Sequence, residues 1–161
     1  MRLSRHFTMA EMTRSETAAR LGLDNYPPAA AINELKRLCT TILEPVRGVF
    51  GPLQINSGYR APEVNASVPG SSPTSSHCWG GASDFEKPGD NDPRASARIV
   101  EFIATSGLPF DQVIYEYGAW VHVGISRPGM RPRRQVLMKF ANRPFEPFDV
   151  DAIDLATGRR R

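Results

Sequence analysis

From Ala29 to about Phe50 the apolar residues Ile32, Leu35, Leu38, Ile42 and Val46 recur at helical spacing, with charges between them. That spacing turns one stripe toward a core and predicts an amphipathic helix. Pro45 lacks a backbone donor and is expected to kink or end it. Upstream, Thr8-Met9-Ala10-Glu11 and Thr13-Arg14-Ser15-Glu16 both have the capping-box form, which predicts one or two short helices. Ala18, Ala19 and Leu21 continue the second, and Gly22 is placed to stop it. Another helix opens at Asp92-Pro93, an N-cap followed by proline at the first helical position. It runs to about Ser106, burying Ile99, Val100 and Ile103, and Gly107 ends it.

Between the helices the period changes to two. Leu53 to Gly58 alternates apolar and polar residues, as a strand does. Ala82 to Phe85 and Val113 to Tyr117 read as further strands, the latter turning at Gly118-Ala119 into Trp120-Val121-His122-Val123-Gly124-Ile125. In that last strand Trp120, His122 and Gly124 share one face, while Val121, Val123 and Ile125 take the core face. Arg133 to Phe140 adds a final strand. Residues 59–76, rich in Ser, Pro, Gly and Asn, read as a long loop, and the stretch after Phe140 as irregular. The mixture is of α+β type. With no internal repeat, it predicts a single domain over residues 1–161 with its core at about 7–140.

At 161 residues the chain is long enough for one substantial core, and 40% hydrophobic with 23% charged residues is ordinary for a soluble domain. The net charge of +3 is modest. Arginines cluster at Arg131, Arg133 and Arg134 and again at Arg159 to Arg161. A solvated surface explains them; an anionic cell wall is a partner they would also suit. They lack interleaved aromatics and any nucleic-acid-binding motif, so no nucleic-acid partner is expected. No window approaches the ~18 apolar residues of a membrane span, and Met1 to Thr8 lack a signal peptide's apolar run. The expectation is a monomer made in the cytoplasm, without membrane insertion. Cys39 and Cys78 are too few for a disulfide framework.

The chemistry lies in His77, Asp84 and His122. Two imidazoles and one carboxylate are what a catalytic zinc needs from a protein, with a fourth position left open. Gly80, Gly81, Ala82 and Ser83 separate the first two with small residues, so the backbone can bend both toward one metal. His122, on a strand, is rigidly held. Cys78 adjoins His77, but neighbours on an extended chain point to opposite faces, which argues against it as a ligand.

Ser57-Gly58-Tyr59-Arg60-Ala61-Pro62, then Ser76-His77-x-x-Gly80-x-Ala82-x-Asp84, then Trp120-x-His122-Val123, taken in that order, resemble the D-Ala-D-Ala metallopeptidase family. That family is related to lysostaphin-type enzymes and to the hedgehog signalling domain, and the resemblance spans roughly Phe7 to Gly124. It implies a small antiparallel sheet carrying the zinc site, with helices packed on one side. It implies Zn2+ held by His77, Asp84 and His122, and hydrolysis of peptide bonds in bacterial peptidoglycan stem peptides. Arg60 matches the family arginine over the site, and Ser76 a serine preceding the first ligand, expected to support the site by hydrogen bonding. Tyr59 and Trp120 are candidate pocket walls.

Many relatives place a glutamate three residues before the last histidine; here that residue is Ala119. Glu116 is the nearest carboxylate and the expected general base, with Asp111 as the alternative. The resemblance fits a phage or prophage endolysin that reaches the wall once the membrane is breached. A D-Ala-D-Ala carboxypeptidase of wall remodelling and a non-catalytic, metal-containing virion or binding module are the competing readings.

Overall fold

In the computed structural model, which describes residues 1–89 and 92–161, Thr8 opens the first helix. Its hydroxyl accepts from the Glu11 N–H and its own N–H donates to the Glu11 carboxylate, starting α1 (Met9–Thr13). The second expected capping box does not form. The Thr13 hydroxyl is engaged inside α1, donating to the Met9 carbonyl, and Ser15 instead caps α2 (Glu16–Leu21) by accepting from Ala18.

The long apolar stripe folds as α3 (Ala29–Leu38) and α4 (Glu44–Phe50), joined without a break by a π-helical turn at Cys39–Leu43. Pro45 therefore does not end the helix. The turn ahead of it widens, so that Glu44 N–H reaches the Cys39 carbonyl five residues back, and the helix runs on past the missing donor. The expected loop after β1 (Gln54–Ser57) contains a short helix, α5 (Pro62–Ala66). Pro62 is well suited to that helix start, since its missing N–H costs nothing there. A 3-10 turn, Ser76–Trp79, leads into β2 (Ala82–Glu86). Then follow α6 (Pro93–Thr105), β3 (Gln112–Glu116), β4 (Trp120–Gly124) and β5 (Gln135–Lys139).

The strands form one sheet in the order β1-β2-β4-β3-β5-β6, where β6 is Glu146–Pro147. It is mainly antiparallel, but β5 runs parallel to β3. The tail is not irregular throughout: beyond β6 it forms a 3-10 turn and a small hairpin of β7 (Ile153–Asp154) and β8 (Arg159–Arg160). Ile153 is fully buried there, so the core continues past the expected limit.

One face of the sheet supplies Ile55, Phe85, Val113, Tyr115, Val121 and Val123 to the core, which also takes in Leu35, Leu38, Ile42 and Val46 of the long helix and Ile99, Val100 and Ile103 of α6. Burying each of the valines stabilises the fold by roughly 1.5–3 kcal/mol. That burial also decides where the histidine points. A one-residue slip of β4 would turn Val121 and Val123 to solvent and His122 into the core. The opposite face is left to carry the functional side chains.

Candidate metal centre

Asp84 and His122 stand directly across from each other in the β2–β4 pairing. Both strands are interior to the sheet, and His122 Nδ1 lies 2.7 Å from Asp84 Oδ1. His77 arrives from the 3-10 turn, its Nε2 3.4 Å from Asp84 Oδ2. One ligand atom from each of the three lies within 4.8 Å of the others. Cys78 stays outside this group and is a free thiol.

The bend that delivers His77 depends on Gly80, which adopts a left-handed conformation at the end of the 3-10 turn. A methyl group there would stand 2.4 Å from the Ala31 carbonyl of α3, so glycine alone fits both the φ and the contact. His77 is 3% exposed, and its Nδ1 lies 2.7 Å from the Gly58 carbonyl. A carbonyl only accepts, so Nδ1 carries a proton and Nε2 is the nitrogen turned toward Asp84. Gly58 is pinned in turn: a methyl on it would be 2.4 Å from the Met12 carbonyl, which accepts from the Tyr59 N–H at 2.7 Å. The N-terminal helix thereby sets the position of a candidate ligand far along the chain.

Burial alone would raise the Asp84 carboxyl. The neighbouring His77 charge and hydrogen bonds from both imidazoles outweigh it and hold the group well below the usual carboxylate range. For His122 burial opposes the charged form, but the Asp84 hydrogen bond and the charges of Asp84 and Glu116 raise its pKa. A carboxylate kept ionised between two imidazoles is a donor set that suits a divalent cation.

Arg60 lies at the rim, its Nη2 4.0 Å from Asp84 Oδ2. Its guanidinium donates to Asn65 Oδ1 and to Ser57 Oγ, both at 3.2 Å. Asn65 is 3% exposed and passes its own amide N–H to the Ser72 carbonyl. A cavity of about 440 Å³ adjoins the centre through Arg60 and Ser57, with Arg14, Glu16, Gln54 and Asn56 among its other walls.

Glu116 pairs with Trp120, and Ile114 with His122, so Glu116, Trp120 and His122 share the face of Asp84. Trp120 Nε1–H donates to Glu116 Oε2 at 3.0 Å. Burial first and the Asp84 charge second raise the pKa of Glu116, against smaller opposing effects of His122, the Trp120 hydrogen bond and Lys139. Ala119 sits in the turn before β4, where its N–H donates to the Glu116 carbonyl. Asp111 is engaged elsewhere, in a two-point ion pair with Arg133 at 3.0 and 2.7 Å.

Two expected wall or support residues are placed differently. Tyr59 is buried in the core. The hydroxyl that caps the 3-10 turn belongs to Ser75, accepting from His77 N–H, while Ser76 contributes its carbonyl to Gly81. No role was expected for Gly58, Asn65, Ser57 or Ser75; the signal that could have found Ser57 and Gly58 was their place in the Ser57-Gly58-Tyr59-Arg60 motif.

No curated protein matches the chain. A family model described as Peptidase M15 matches residues 5–124, a stretch that contains all three ligand-type residues, Arg60 and Glu116. With three-quarters of its length covered by that match, the chain belongs to the M15 family, the D-Ala-D-Ala metallopeptidases.

Proposed function

We propose that the chain is a zinc-dependent peptidase that hydrolyses peptide bonds of bacterial peptidoglycan stem peptides. The observation that carries this reading is the convergence of His77 Nε2, His122 Nδ1 and an Asp84 carboxylate on one face of an interior strand pair. Zinc held there would supply Lewis acidity and a water whose pKa is lowered toward neutrality.

The protein's own groups do the rest. Glu116, aimed along the site face and raised in pKa, takes a proton from the attacking water and delivers it to the leaving amine. Trp120 fixes which Glu116 oxygen is free, because Oε2 is already bound. Arg60, braced by Asn65 and Ser57, holds the carbonyl oxygen as negative charge grows on it. His122 Nδ1, now sharing a proton with Asp84, would have to give that proton up to hold the ion. Glu116 on this face supports a working enzyme rather than a purely structural metal module, despite Ala119.

The wall of a bacterial cell is anionic, and a chain of net charge +3 is drawn to it. This suits the role of a phage or prophage endolysin acting once the membrane is breached. Among the described residues no helix is long and apolar enough to cross a membrane.

The deciding experiment is digestion of purified sacculi, with mass spectrometry of the released muropeptides. Cleavage within stem peptides that stops with a chelator and returns with zinc is the expected result. Release of terminal D-alanine alone would make the enzyme a carboxypeptidase. No cleavage under any metal would leave a binding module.

A further inference from the structure

Residues 125–161 lie beyond the family match, yet they converge on one small piece of the metal site's frame. That piece is the turn Tyr117-Gly118-Ala119, which joins Glu116 to Trp120. Tyr117 N–H donates to the Lys139 carbonyl at 2.9 Å, and β5 runs parallel to β3 with Lys139 beside Glu116. On the other side the turn meets Gly158. A methyl on Gly118 would be 2.6 Å from Gly158 Cα, and one on Gly158 would be 2.9 Å from Gly118 Cα and 3.0 Å from Pro93 Cγ. The Tyr115 hydroxyl also reaches the Gly158 carbonyl, at 3.5 Å. Gly158 is itself held by its N–H to the Asp154 carbonyl at 2.7 Å, next to fully buried Ile153.

The turn needs such support. Tyr117 has φ 57 and Gly118 φ 70, and the tyrosine pays a left-handed penalty of about 1–2 kcal/mol. A strained conformation persists only where its surroundings over-determine it. We propose that the C-terminal segment is a brace for the general base, in which Gly158 is a positioning residue that acts through the Gly118 turn on the Glu116–Trp120 pair. The inference rests on Glu116 being the base. It gives the residues outside the family match a function in the reaction, beyond completing the core. An error of about 1 Å in placing a proton acceptor costs up to ~100-fold in rate.

The test compares Gly158→Ala with Gly129→Ala in the full chain. Gly129 has φ 77, so the methyl imposes similar backbone strain there, but nothing lies within 4 Å of it. The first readout is the indole Nε1–H resonance of Trp120 in metal-free protein, assigned with Trp120→Phe; the second is kcat and KM with zinc bound. Gly158→Ala is expected to shift the indole resonance and lower kcat by about 10- to 100-fold, with KM within about twofold. Gly129→Ala is expected to change neither. If Gly158→Ala does not fold, Tyr115→Phe, which removes only the hydroxyl on the Gly158 carbonyl, must shift the same resonance in the native protein. An unmoved indole with unchanged kcat, or equal effects at Gly129, would overturn the brace. If wild type cleaves no peptide, the peptidase reading fails on its own, while the indole still reports whether Gly158 positions Glu116.

Discussion

The Nδ1–H of His77 donates to the carbonyl of Gly58, 2.7 Å away and nineteen positions earlier in the chain. A candidate metal ligand is thus oriented by a backbone group whose own place is set by Met12 of α1. Gly58→Ala should push that carbonyl away. The expected cost is about 1–3 kcal/mol of stability, from a methyl forced into a filled space. Zinc affinity should fall about 10- to 100-fold, as when an outer partner of a ligand histidine is lost. Calorimetric titration with zinc measures this, and an unaltered affinity would show that Gly58 does not orient the ligand.

Glu116→Gln keeps the size of the side chain and an oxygen for the Trp120 indole, but cannot take up a proton at neutral pH. Zinc content should stay at the wild-type level while kcat drops by about 10²- to 10⁴-fold. Metal analysis together with steady-state kinetics checks both halves. Retained turnover would move the base to another group.

Arg60→Lys keeps the charge but not the planar fork that bonds Asn65 and Ser57 together. Turnover on a muropeptide should fall by about 10²- to 10³-fold, the range for removal of one oxyanion donor. Thermal unfolding should shift little by comparison. Unchanged kinetics would reduce Arg60 to a structural residue of the rim.

Asp111 offers a test of pH dependence away from the metal. Burial would raise its carboxyl, but hydrogen bonds and charge from Arg133 win and hold it below its usual value. A depressed carboxylate stabilises the fold fully above its unfolded pKa, and that contribution is lost as pH falls through the folded one. Because the Arg133 side chain is 61% exposed, the pair is screened, and Asp111→Asn should cost only about 0.5–1 kcal/mol at neutral pH. In strong acid the variant and wild type should converge. Urea unfolding across the acid range reads the difference; a gap that persists at the lowest pH would assign the effect to something other than ionisation.

His77, Asp84 and His122 were legible because residue type and period-two parity are local properties of the sequence. The face of His122 follows from Val121 and Val123 alone. Glu116 was harder, since its parity had to be carried across a turn of unknown geometry; the pairing of Glu116 with Trp120 preserves it. Gly58 and Asn65 were hidden for a different reason. One acts through a carbonyl that every residue possesses, the other through contacts between distant segments, and neither leaves a periodic mark. The parallel β3–β5 pairing and the buried tail were hidden likewise, because strand partnership over such separations is decided by packing. At Pro45 the local rule was sound, and a wider helical turn supplied a way round it.

The three candidate ligand residues differ in how the fold holds them. Asp84 and His122 lie on adjacent interior strands, which part only when the sheet itself opens, whereas His77 rides on a single 3-10 turn held by a serine cap and the Gly58 carbonyl. Local opening takes the weakest element first. Were an ion held by the three residues, opening of that one turn would leave Asp84 and His122 in place, so its release is expected to begin at His77. Loading would run in the reverse order, with the pair on the sheet meeting a cation before His77 completes the set.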